Sequence, residues 1–106
     1  MQNLITKVKI PVRLRIWRSK RNYMAVVTDR VTINALMPYA GRQVALELAG
    51  MVVNARLVLL KQKGSIQYLA IFLPMRMAPT WELLRKKANE HNAAIIVTET
   101  EAGELL

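Results

Sequence analysis

Lys7 to Trp17 reads K-V-K-I-P-V-R-L-R-I-W, and its alternation decides the fold class. The even positions Val8, Ile10, Val12, Leu14 and Ile16 are apolar; the odd positions are Lys7, Lys9, Pro11, Arg13, Arg15 and Trp17. Successive side chains of a strand point to opposite faces, so this segment predicts a strand with one apolar face and one cationic face ending in an indole. The apolar face serves folding. Like charges along one face repel, so the cationic face points to use by something outside the fold, and a polyanion is the natural candidate.

Downstream, Arg18-Ser19-Lys20-Arg21-Asn22 leads into Tyr23 to Thr28, the pattern of a hairpin with a short basic loop. Pairing Arg18 with Tyr23 sets Trp17 against Met24, Arg15 against Val26 and Arg13 against Thr28. Thr32 is expected to cap a short helical turn over residues 33–37, or a loop, since Pro38 opposes a longer helix. Gln43 to Leu48 alternates as a strand does, with a helix as the alternative, and Gly50 punctuates it.

Val52–Gln62 and Ile66–Leu73 read as a second hairpin. A two-residue turn at Lys63-Gly64 places Leu60 opposite Gln67, Leu59 opposite Tyr68 and Ala55 opposite Phe72. On this register Val58, Leu60, Leu69 and Ile71 share one face, and Leu57, Leu59, Ile66, Tyr68 and Phe72 share the other. One helix covers one face of a small sheet, so the second is either core or an exposed apolar surface. Leu57, Leu59, Tyr68 and Phe72 are therefore the candidates for a cleft or a subunit interface.

Pro79-Thr80-Trp81-Glu82 suits a helix start. The helix is expected over residues 79–91, burying Trp81, Leu84, Ala88 and His91, with Asn92 ending it in a left-handed conformation. Ala94 to Thr98 reads as a last strand and residues 99–106 as a frayed acidic tail. The whole predicts one α+β domain over residues 1–106: a mostly antiparallel sheet of five or six strands with one main helix near the C-terminus.

The net charge is +9, and it is one-sided. Residues 1–75 hold twelve Lys and Arg against Asp29 and Glu47, whereas residues 76–106 hold four against five Glu. A localised basic surface is the electrostatic footprint of nucleic-acid binding. There is no cysteine, which excludes disulfides and Cys-based zinc sites and fits a reducing compartment. No apolar run reaches the ~18 residues a membrane helix needs, and no signal peptide is visible, so the expected location is the cytoplasm. Catalysis has little to stand on: one His, one Asp, no Cys and no nucleotide-binding glycine loop. No catalytic residue, metal or cofactor is expected.

Lys7, Lys9, Arg13, Arg15, Arg18, Lys20 and Arg21 lie close together with Trp17 and Tyr23 beside them. Guanidinium groups bind phosphate in forked geometry, and aromatic rings stack on unpaired bases. A duplex hides its base faces, so this mixture favours single strands. Trp17 is an even choice between stacking on a base and packing in the fold. The layout of a small basic antiparallel sheet, carried by R-L-R-I-W, Arg18 to Tyr23 and Val52 to Phe72, resembles the ThermoDBP-related single-strand-binding proteins of archaea. That resemblance implies a sheet-based cleft holding single-stranded nucleic acid, an oligomeric protein, and roles for Arg13, Arg15, Trp17, Tyr23, Tyr68 and Phe72. The expected function is non-enzymatic binding of single-stranded DNA or RNA. The alternative is a structural subunit, either of a ribonucleoprotein or of a homo-oligomer such as a dimer, assembled through the apolar hairpin 52–73.

Overall fold

A computed structural model describes residues 5–61, 64 and 67–100. Its strands are β1 (Ile5–Arg18), β2 (Tyr23–Val27), β3 (Gln43–Leu48), β4 (Met51–Lys61), β5 (Gln67–Leu73) and β6 (His91–Thr100). Its helices are α1 (Arg30–Leu36) and α2 (Ala78–Lys87). The six strands close into a barrel in the order β1-β2-β5-β4-β3-β6, and every neighbouring pair is antiparallel. The mostly antiparallel α+β class therefore holds, with two helices in place of one.

The alternation of β1 works as its sequence requires. Val12, Leu14 and Ile16 are buried, and Arg13 and Arg15 are exposed. The strand is fourteen residues long and serves two walls. Ile5 to Leu14 pair with β6, while Arg15 to Arg18 pair with β2. The predicted partners Arg18–Tyr23, Trp17–Met24 and Arg15–Val26 are all present. Arg13 departs from Thr28 and pairs with Asn92 of β6, because there β1 has already crossed to the other wall.

The second hairpin is shifted by one residue. Leu60 faces Tyr68, Leu59 faces Leu69 and Leu57 faces Ile71, and the Lys61–Gln67 pair leaves residues 62–66 to connect the strands. The expected turn residue Lys63, together with Gln62 and Ile66, lies outside the described residues. A one-residue slip exchanges partners between faces. Leu57, Leu59, Leu69 and Ile71 thus point inward, and Val58, Leu60, Tyr68 and Phe72 point outward. The β3–β4 turn is two residues, Ala49 and Gly50, with φ of 52° and 77°. Both are left-handed, as a tight hairpin of this twist demands.

Helix α1 runs from the end of β2 toward β3, and α2 from the end of β5 toward β6, so the two close opposite ends of the barrel. Each inserts apolar side chains into one continuous core: Ile33 and Leu36 from α1, Trp81 from α2. The cap of α1 is Asp29, not Thr32: its Oδ2 accepts from the Thr32 N–H at 2.9 Å and from Thr32 Oγ1 at 2.7 Å.

Helix α2 is shorter than its apolar stripe predicts. Ala88 is already extended (φ −157°, ψ 155°), His91 is the first residue of β6, and Asn92 is in the strand rather than left-handed. The ten-residue pairing of β6 with β1 begins at Leu14–His91, and that long ladder overrides the local helical pattern. His91 keeps one link to the helix, its Nε2 lying 2.7 Å from the Leu84 carbonyl. Glu99 and Thr100, expected in the tail, belong to β6; residues 101–106 lie outside the described residues. Among the described residues no helix is long and apolar enough to cross a membrane.

Candidate functional site

The split of β1 between two walls divides the cationic face. Lys7 and Lys9 stand beside β6, opposite Thr98 and Ile96. Lys9 is engaged there: its Nζ lies 2.8 Å from Glu47 Oε1, reaching across β6 to β3. Arg13 and Arg15 sit further along, where β1 turns toward β2, and Arg18, Lys20 and Arg21 surround the hairpin tip. All five are exposed, and among the described residues none of them pairs with a carboxylate.

Tyr23 corrects the sequence reading. It points inward and is buried, with its hydroxyl donating to Glu82 Oε2 of α2 at 2.7 Å. A ring held in the core is not presented to a base. Glu82 also receives Arg85 Nη2 at 2.6 Å and Arg85 Nε at 3.1 Å. The Arg85 guanidinium and the Tyr23 hydroxyl together hold the Glu82 carboxyl down to about 2 from its ordinary 4.5. In turn, the carboxylate raises the Tyr23 phenol, because it accepts the phenol proton. A depressed carboxyl stabilises the fold in full above its ordinary pKa and loses that contribution as the pH falls through the folded value. Melting temperature should therefore decline from pH 4.5 toward about 2. In Glu82→Gln that acid-side decline should be smaller; an unchanged decline would place the acid sensitivity elsewhere.

Trp17 packs against an aromatic neighbour on the same wall. Its ring meets Tyr68 edge to face, with centroids 5.5 Å apart at 87°. Trp17 is on β1 and Tyr68 on β5, so the rings meet across the outer face of β2, which lies between them. Beneath them Val26 and Ala70 point outward yet are 0% and 1% exposed. Trp17 is half-buried and is both a lid on the barrel wall and a partly accessible aromatic edge.

The corrected register assembles a surface that the sequence did not reveal. On the outer wall, Trp17, Met24 and Phe72 lie in one row, and Arg15, Val26, Ala70 and Val58 in the next. Tyr68 and Leu60 follow. Phe72 is 43% exposed. One register step from the Leu57–Ile71 pair places Arg56 of β4 beside Phe72, and Arg56 is exposed. The result is an apolar strip about three strand spacings wide, ~14 Å, with arginines on its β1 flank and on its β4 flank.

Of the four residues expected to share a cleft or interface, only Tyr68 and Phe72 lie on this strip. Leu57 is fully buried in the core and Leu59 sits at an inward position near the barrel end. Arg56 was legible only through the correct register, since its outward direction follows from its place in β4. No protein-family model, curated protein or solved structure matches this chain.

Proposed function

We propose that the protein binds single-stranded nucleic acid on the outer wall formed by β1, β2, β5 and β4. One observation carries the reading: an exposed aromatic, Phe72, in an apolar strip flanked on both sides by arginines that, among the described residues, make no ion pair. Bases stack on Phe72 and on the edge of the Trp17–Tyr68 pair, while Arg13, Arg15 and Arg56 take phosphates. A duplex offers this strip only its phosphates, so it forfeits the stacking term. Arg18, Lys20 and Arg21 continue the basic flank at the hairpin tip, whereas Lys7 and Lys9 face the other wall. In the archaeal ThermoDBP-related proteins, which the sequence resembles in layout, a sheet-based cleft does the same work.

The competing use of an exposed apolar strip is self-association. Here a second copy would bring two sets of arginines together, a repulsion that a polyanion turns into attraction. Fluorescence anisotropy with labelled single-stranded DNA, single-stranded RNA and duplex tests the proposal at ~50 mM salt, where phosphate contacts are strong. Binding of single strands in preference to duplex is expected, together with a steep loss of affinity as salt rises. Absence of single-strand binding would overturn the reading, and a dimer by light scattering under the same conditions would favour assembly through the strip.

A further inference from the structure

The strip does not stop at Phe72. Leu73, the next residue, pairs with Tyr23, so the outer wall runs directly into the barrel end closed by α2. That end is strongly basic. The hairpin tip supplies Arg18, Lys20 and Arg21; the segment after β5 supplies Arg76; the last turn of α2 supplies Arg85, Lys86 and Lys87. Between residues 74 and 90 the carboxylates are Glu82, whose charge is already taken by Arg85 in two hydrogen bonds, and the exposed Glu90, against four cations from Arg76 to Lys87 and three on the hairpin tip. Around Glu82, the Arg18 guanidinium lies 5.9 Å from the Tyr23 ring centroid, Tyr23 donates to Glu82, and Lys86 Nζ stands 4.0 Å from Glu82 Oε1. Cations from β1 and α2 therefore converge on one carboxylate, with charge left over.

Nothing in folding accounts for that surplus. Lys86 is 73% exposed at its side chain, and among the described residues Lys87 and Arg76 make no ion pair. Cations do favour a helix C-terminus, and this explains one or two of the α2 residues. It does not explain why the basic hairpin tip and Arg76 sit at the same end. Met75, two residues past the end of β5, is a further large apolar side chain at this end and is 49% exposed.

We propose that this end of the barrel is a second phosphate-binding element, at which Arg76, Lys86 and Lys87 of the α2 region hold the same single strand as it leaves the outer wall. The proposal rests on the single-strand reading of that wall and adds α2 to it. The residues concerned come from the part of the chain whose net charge is slightly negative, so composition hides them.

The test is a salt titration with a fluorescein-labelled oligothymidylate of about 16 nucleotides, the upper end of a small-domain site, comparing the wild type with Lys86→Ala/Lys87→Ala. Each phosphate contact to a single strand contributes about 0.7 to the slope of log affinity against log salt. The double variant should lower the slope by about 1.4, with an unchanged circular dichroism spectrum. The matched change Lys7→Ala/Lys9→Ala removes equal charge from the β6 wall and should leave the slope unaltered. A wild type that binds with a slope indifferent to Lys86→Ala/Lys87→Ala overturns this proposal alone, as does an equal fall in both double variants. A wild type that binds no single strand overturns the underlying reading with it.

Discussion

Trp81→Ala should lower stability by about 3–5 kcal/mol, the range for truncating a large buried aromatic. Stabilities of whole domains are about 5–15 kcal/mol, so the variant should retain a small fraction of its margin. At about 4 °C or more per kcal/mol for a domain of this size, the melting temperature should fall by at least about 12 °C. The expectation is large because this ring is the one fully buried side chain that α2 contributes to the core. Trp81 is 0% exposed and the only fully buried residue of the helix, while Leu83 is 70% exposed and Leu84 half-buried. Its Nε1 donates to the Pro74 carbonyl at 2.8 Å, a bond that also fixes the chain entering the helix. Alanine removes the ring, opens a cavity at the barrel end and leaves that carbonyl without its donor. Leu83→Ala, on the same helix, should change stability by no more than about 0.5 kcal/mol. Thermal and guanidinium unfolding followed by circular dichroism would decide; a loss under about 1 kcal/mol for Trp81→Ala would mean that α2 is not docked through this ring.

The contrast between what was and was not legible in the chain follows from the range of the interactions. The two-faced β1, the first hairpin and its register, and the strand Gln43–Leu48 depend on period-two patterning and a short turn, which are local. Closure of the barrel depends on β6 reaching both β1 and β3, and no local pattern announces those pairings. The same ladder cut α2 short: Ala88 and His91 continue the helical stripe in sequence, yet His91 is worth more as the partner of Leu14. In the second hairpin both faces are apolar, so patterning could not choose between registers one residue apart. The candidate site inherited these limits. Arg13, Arg15 and Trp17 stand on the face of β1 that its alternation assigns them, because that pattern is local. Tyr23 was misplaced because the parity of β2 sends it inward, where Glu82 of a distant helix receives its hydroxyl.

Phe72 and Trp17 now separate binding from folding. Phe72 points outward and is 43% exposed, so its ring contributes little to the core. Phe72→Ala should leave stability within about 0.5 kcal/mol and weaken single-strand binding by the value of one stacked base, about 1–3 kcal/mol, which is roughly 5- to 150-fold in affinity. Trp17→Ala should do something different. Its ring contacts Tyr68 and shields Val26 and Ala70, two outward residues that are otherwise water-facing on the barrel wall. Removing it uncovers that apolar surface and frees Tyr68, so stability should fall by about 1–3 kcal/mol, the worth of a side chain's apolar burial, and binding should fall as well. Anisotropy on both variants, paired with thermal melts, reads the two quantities independently. If Phe72→Ala binds like the wild type while Trp17→Ala loses only stability, the strip is a structural lid and the arginines beside it act without base contacts. If both lose affinity but only Trp17→Ala loses stability, one aromatic serves the ligand and the other serves ligand and fold together. The second outcome is the expected one, because the edge-to-face pair leaves Trp17 half-buried over a wall that would otherwise be wet.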